Sequence, residues 1–227
     1  MNWARHFAPD ESELVDHYPT RAEHAADGWV HGVGLVLAAI GGIALFVRTL
    51  TIGHVAAAGA TAAYAACLIA MLTASAFYNL TKPSPARRVL RRLDEAAIFV
   101  MIAGSYTPFT ITQYEAPISG WLTALVWLLA LVGVFGKLFV RLSDLFWSLV
   151  YIAFGWLSVL IVWPLAQSLT PWAIALLAAG GVVYTSGVAI YLRHSIRFRR
   201  AIWHGFVIVG AGLHYVAIWS ATGAPMS

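Results

Sequence analysis

The chain has 227 residues, of which 60% are hydrophobic and only 11% charged. An ordinary soluble domain carries about 25% charged residues, so this composition excludes a disordered chain and a disulfide scaffold and argues against a water-soluble globule. The formal charge of +4 does not indicate nucleic-acid binding, because the basic residues sit between apolar segments rather than on one face.

A membrane-spanning helix needs roughly 20 apolar residues. The hydropathy pattern predicts an all-α, polytopic membrane protein with seven such helices. In chain order they are Trp29–Leu50, His54–Leu80, Asp94–Gln113, Gly120–Val140, Phe146–Trp163, Pro171–Leu192 and Ala201–Ala221. Breakers separate them at Thr51-Ile52-Gly53, Lys82-Pro83-Ser84-Pro85, Glu115-Ala116-Pro117 and Thr170-Pro171. Residues 1–28 read as a polar N-terminal segment without the features of a cleavable signal, and 222–227 as a short tail. The single cysteine, Cys67, lies in an apolar run and allows neither an internal disulfide nor a cysteine metal site.

Charge orients the chain. Arg5, Arg21, Lys82, Arg87, Arg88, Arg91, Arg92, Lys137, Arg141, Arg193, Arg197, Arg199 and Arg200 fall on one side, and only Arg48 on the other. The positive-inside rule then places the N-terminus in the cytoplasm and the C-terminus outside. Trp29, Trp121, Trp163, Trp172 and Trp219 near helix ends suit an interfacial aromatic belt.

Polar residues in or beside the helices are the functional candidates, since burying them is costly unless they are paired. Glu23, Asp27 and His31 are spaced by four and share one helical face. Thr20 and Glu23 form a capping-box pattern, which accounts for Glu23 without a ligand. Ser75 and Asn79 end the second helix, Asp94 and Glu95 open the third, and Arg200 and His204 open the seventh. Alternating topology brings all four groups to the cytoplasmic side, where they suggest one buried constellation. Gly104 through Pro108 is expected to break up the third helix with a proline kink. His214, ten residues beyond His204, is about 15 Å away along the helix; it reads as a hydrogen-bonded core residue.

At these residues the chain resembles the hemolysin III family, the bacterial branch of the progestin and adipoQ receptor (PAQR) family. The carriers are Glu23-x3-Asp27-x3-His31-Gly32, Ser75-x3-Asn79, Arg92-Leu93-Asp94 through Ala97-Ile98, Ile102 through Phe109, and Ala201 through His204. The resemblance implies seven helices with a cytoplasmic N-terminus, and a zinc held by three histidines near that face. The implied ligand positions are Asn79, Arg200 and His204, of which only His204 is histidine. The position after the family aspartate, often histidine, is Glu95, and the asparagine usual in the first motif is Asp27.

Arginine is always protonated and has no lone pair to donate, and one histidine cannot hold zinc that needs three or four protein ligands. No cofactor is therefore predicted, and an ionic network replaces the metal: Arg200 is expected to pair with Asp94, joined by Glu95 or Glu23. The preferred function is a non-enzymatic role in membrane lipid homeostasis, in a bacterial inner membrane, with membrane lipids as partners and no nucleic acid. The alternative is a metal-dependent, ceramidase-like lipid amidase, for which Asp94 and His204 are the catalytic candidates. A cytolysin is disfavoured because nothing resembles a secreted toxin. A retinal protein is rejected because the only lysines, Lys82 and Lys137, sit at helix ends. Gly180-Gly181 and Gly210-x-Gly212 permit close helix packing and leave homo-oligomerisation open.

Overall fold

The structure, a computed structural model, describes residues 15–140, 142–165 and 169–222, without the side chains of 158–165. Arg5, Arg141 and the Trp163 side chain lie outside this description. Seven α-helices and no strands occur among the described residues: α1 Arg21–Thr51, α2 Val55–Leu80, α3 Arg87–Thr112, α4 Ile118–Phe139, α5 Asp144–Leu165, α6 Pro171–Tyr191 and α7 Arg199–Ala221. Five of them (α1, α2, α4, α6 and α7) are long and apolar enough to cross a membrane, and α5 adds a shorter apolar stretch, Asp144–Leu157.

Two helices begin seven or eight residues earlier than hydropathy predicts. α1 starts at Arg21 because Thr20 Oγ1 accepts the Glu23 main-chain N–H at 3.3 Å, satisfying one of the free donors of the first turn. α3 starts at Arg87 and carries its charged turns as helix rather than loop. Hydropathy marks where a helix becomes apolar, not where its hydrogen bonding begins. At α6, Thr170 Oγ1 accepts from Ala173 N at 3.2 Å and Pro171 occupies the first turn, where its missing N–H costs nothing.

The α1 sequence explains its own orientation. Its buried positions are Glu23, Asp27, His31, Gly34, Ala38, Gly42, Leu45 and Thr49, spaced by three or four. The face turned outward carries Val36, Ile40 and Ile43. Small and polar residues point in and large apolar ones point out, the pattern of helices packed in an apolar solvent, where close backbone approach holds them together. Gly42 shows the tolerance: a Cβ there would lie 2.7 Å from the Ala65 Cβ on α2.

α1 packs on α2, α2 on α3 and α3 on α4; α7 packs on α1, α3 and α6, while α5 touches only α3 and α6 among its main neighbours. The residues 102–109 do not interrupt α3, which continues through Pro108 to Thr112. The expected break is therefore corrected. Thr107 Oγ1 bonds back to the Ala103 carbonyl at 2.9 Å and receives Trp127 Nε1–H of α4 at 3.1 Å. Gly104 lets α3 approach α2, since a Cβ there would meet Cys67 Cβ at 2.6 Å. Tyr106 donates to the carbonyls of Phe154 and Gly155 at 3.1 and 2.9 Å, tying α5 to α3. The segment is an architectural joint.

Light packing of α5 leaves a cavity of about 430 Å³ between α2, α3, α5, α6 and α7. Its body is lined by residues such as Met71, Met101, Ile152, Leu177 and Val207. At one end stand Ser75, Asn79, Asp94, Arg200 and His204. His214 also borders it, with Nε2 3.4 Å from the Leu177 carbonyl, as expected of a bonded core histidine.

Candidate functional site

The polar groups converge where α1 and α7 begin and α2 ends. Asp27, fully buried, is the hub. Its Oδ1 accepts from His204 Nδ1 at 2.6 Å and its Oδ2 from the Tyr18 hydroxyl at 2.5 Å. Charge-assisted bonds of this length are the strong ones. Burial, with the Asp27 carboxylate second, holds the Tyr18 phenol above its ordinary range, so Tyr18 stays a neutral donor. Tyr18 precedes every apolar segment, and nothing in the hydropathy pattern pointed to it.

His31, one turn after Asp27, donates from Nδ1 to the Asp27 main-chain carbonyl at 2.9 Å. That assigns its free lone pair to Nε2, which faces Ser75 Oγ at 3.3 Å. His204 uses Nδ1 on Asp27 and likewise presents Nε2 to Ser75 Oγ, also at 3.3 Å. The two imidazole rings meet edge to face, their centroids 4.3 Å apart. Asn79 Nδ2 donates to the Ser75 carbonyl at 3.0 Å and to Ser75 Oγ at 3.3 Å. The Asp94 carboxylate neighbours Ser75 and His204.

Arg200 does not pair with Asp94, Glu95 or Glu23 as expected. Its Nη1 donates to Asn79 Oδ1 at 2.7 Å, and its guanidinium lies over the Tyr78 ring. Glu95 is already engaged: Arg91, one turn earlier on α3, reaches it at 3.1 Å, and the buried Lys137 of α4 at 2.8 Å. Glu23 closes the start of α1 and borders a separate small hollow with His17, Tyr18 and Arg199. The structure thus joins Asp27, His31, Ser75, Asn79, Asp94, Arg200 and His204, adds Tyr18, sets Glu23 apart, and places Glu95 on the same cavity with its carboxylate held by Arg91 and Lys137.

The zinc implied by the resemblance is not matched by residues 79, 200 and 204. A cation already bonds the side chain at 79, and neither Asn79 nor Arg200 offers a nitrogen lone pair. Among the described residues, Arg200 Nε is buried without a hydrogen-bond partner. A different set, Asp27, His31 and His204, brings one donor atom each within 4.8 Å of one another. Those atoms are committed to one another and to Ser75.

Arg200→Ala is expected to destabilise the protein by about 1–3 kcal/mol, because it strips the partner from a buried amide oxygen. Arg199→Ala should cost less, since Arg199 Nη1 donates only to the Tyr191 carbonyl near the end of α6. Thermal melts of the two variants in detergent make the comparison; equal shifts would contradict it.

A profile described as "Haemolysin-III related" matches residues 20–215. "Hemolysin-3" of Bacillus cereus is 31% identical over 197 residues, which span 86% of this chain and 90% of that protein. "Hemolysin-3 homolog" of Bacillus subtilis (strain 168) is 30% identical over 200 residues, 88% of this chain and 94% of that one. "Monocyte to macrophage differentiation factor" of Homo sapiens is 30% identical over 212 residues, 88% of this chain and 85% of that one. No solved structure matches. With its apolar helices and a family match across nearly its whole length, the chain is a helical membrane protein of the haemolysin III family, related to the PAQR proteins.

Proposed function

We propose that the protein binds an acyl-chain lipid inside its helix bundle and acts, without a metal, in membrane lipid homeostasis. The observation that carries this reading is the cavity of about 430 Å³, within the ~300–1,000 Å³ of ligand pockets. Its long apolar body suits a hydrocarbon chain, and its polar end, with Ser75, Asn79, Arg200 and His204, suits a carbonyl-bearing headgroup.

In this reading all seven helices span a bacterial inner membrane, with the N-terminus in the cytoplasm and the C-terminus outside. The thirteen-to-one distribution of basic residues supports that orientation. The polar end of the cavity then lies toward the cytoplasmic face, where Asp27, Asn79, Arg200 and His204 sit at helix ends that open or close on that side.

Ala178 of α6 borders the cavity. Ala178→Trp is expected to obstruct it and to reduce co-purifying acyl lipid relative to the wild type. Lipid extraction from purified protein, with a melt to verify folding, measures this. A folded variant retaining as much lipid as the wild type would contradict the reading. A metal-dependent amidase is the second reading, favoured by the proximity of Asp27, His31 and His204 donors; it requires bound zinc or iron in the purified protein.

A further inference from the structure

Ser75, His204 and Asp27 stand in a relation that the lipid-cavity reading leaves unused. Ser75 Oγ lies 3.3 Å from His204 Nε2, and the opposite ring nitrogen, Nδ1, lies 2.6 Å from Asp27 Oδ1. A hydroxyl, an imidazole that can take its proton, and a carboxylate that fixes the ring's tautomer form the constellation of serine hydrolases, recognised by geometry and roles rather than by fold. We propose that Ser75 is the nucleophile of a metal-independent acyl-ester hydrolase, with His204 its general base and Asp27 the residue that orients His204.

Three further observations support this assignment. Ser75 and His204 border the cavity, whereas Asp27 does not and is fully buried behind them. This is the division of labour the chemistry requires: nucleophile and base face the substrate, and the orienting carboxylate is shielded. The Tyr18 hydroxyl donates to the second carboxylate oxygen and His31 to the Asp27 main-chain carbonyl, which fixes the carboxylate's direction. Asn79 Nδ2 lies 3.3 Å from Ser75 Oγ and 3.0 Å from the Ser75 carbonyl, so the amide stands beside the attacking oxygen, and an N–H turned from Oγ toward the substrate would meet a carbonyl oxygen gaining negative charge. Arg200, bonded to Asn79 Oδ1, sets which way that amide faces and is a positioning residue. The same substitutions that remove lone pairs from positions 79 and 200 supply this donor and its support. Aspartate at 27 supplies the carboxylate.

The reaction follows directly. His204 Nε2 takes the Ser75 proton as Oγ bonds to the ester carbonyl carbon, and the carbonyl π pair moves onto oxygen, facing Asn79 Nδ2–H. Collapse re-forms the carbonyl and breaks the bond to the alcohol oxygen, which leaves with the proton from His204. Water, deprotonated by His204, then attacks the acyl-Ser75 carbonyl; the carboxylic acid departs and Ser75 regains its proton. The long acyl chain of the substrate occupies the cavity, so the substrate class rests on the lipid-binding reading, but the nucleophile does not.

The experiment treats purified full-length protein in detergent with an alkyl fluorophosphonate and reads adducts by intact and peptide mass spectrometry. One adduct per chain on Ser75 is expected, absent from Ser75→Ala and unchanged by a metal chelator. Asp27→Asn, verified as folded by its melt, should label on the order of 10²-fold more slowly or worse, since it favours the wrong imidazole tautomer. A wild-type protein that melts cooperatively yet gains no adduct at Ser75 would overturn the proposal. So would labelling that persists in Ser75→Ala, labelling lost with the chelator, or wild-type rates in folded Asp27→Asn. Lipid extraction from the unlabelled wild type reports the cavity reading separately: Ser75 labelling in a lipid-free protein would remove the proposed substrate and keep the nucleophile.

Discussion

Asp27→Ala is expected to destabilise the protein by about 3 kcal/mol or more, among the largest effects of any single substitution in the bundle. Asp27 is fully buried and accepts from both His204 Nδ1 and the Tyr18 hydroxyl. Truncation leaves both buried donors without their acceptor. The cost of an orphaned buried donor exceeds the net worth of the bond it loses. His31 is affected as well, since its Nδ1 stands 3.6 Å from Asp27 Oδ2. Asp27→Asn should cost less, because the amide keeps the shape of the carboxylate and its one oxygen can still accept from one of the two donors. A detergent melt of both variants beside the wild type checks the order; an Asp27→Ala melting temperature equal to that of the wild type would contradict the hub role.

Much of this arrangement is legible in the sequence, for physical reasons. The bilayer forces long apolar runs, so the helices and their order can be read from hydropathy. A charge placed near such a run must be paired or functional, which isolates Asp27, His31, Asp94, Arg200 and His204. Spacing by four on α1 already puts Asp27 and His31 on one face, and the structure turns that face inward. What spacing does not carry is the choice of partner between helices. Arg200 has four carboxylates within the same sequence-defined cluster, Glu23, Asp27, Asp94 and Glu95, yet it bonds Asn79. The reason lies in competitors: Arg91 and Lys137 hold Glu95, and His204 and Tyr18 hold Asp27. Lys137 reads as an orienting loop charge in the sequence and proves to be buried against Glu95 and the Trp147 ring. Tyr18 lies in a polar segment with no periodicity to recommend it. The residues 102–109 resemble a family signature, and their role in this chain is packing between α2, α3, α4 and α5.

Histidines placed together at 79 and 200 are expected to give the protein a three-histidine zinc site. The bond of 2.7 Å between Arg200 Nη1 and Asn79 Oδ1 establishes that side chains at these two positions meet. His204 stands one helical turn beyond position 200, and Ser75 one turn before position 79, with 3.3 Å between their polar atoms. Imidazoles at 79 and 200 would therefore join the His204 imidazole in a small volume, with three neutral nitrogens in place of a guanidinium and an amide. Three histidines and a water are a sufficient donor set for zinc. Removing the permanent positive charge also removes the repulsion that a divalent cation would meet at this point. Each single variant should fail: Asn79→His keeps the guanidinium, and Arg200→His keeps a neutral amide at a ligand position.

The central claim is that Arg200 and its bond to Asn79 occupy the place of a metal. Elemental analysis of the purified, folded wild type beside the Asn79→His/Arg200→His double variant tests it most directly. The account predicts far less than one zinc per chain in the wild type and about one in the double variant. Near-stoichiometric zinc in the wild type would contradict it.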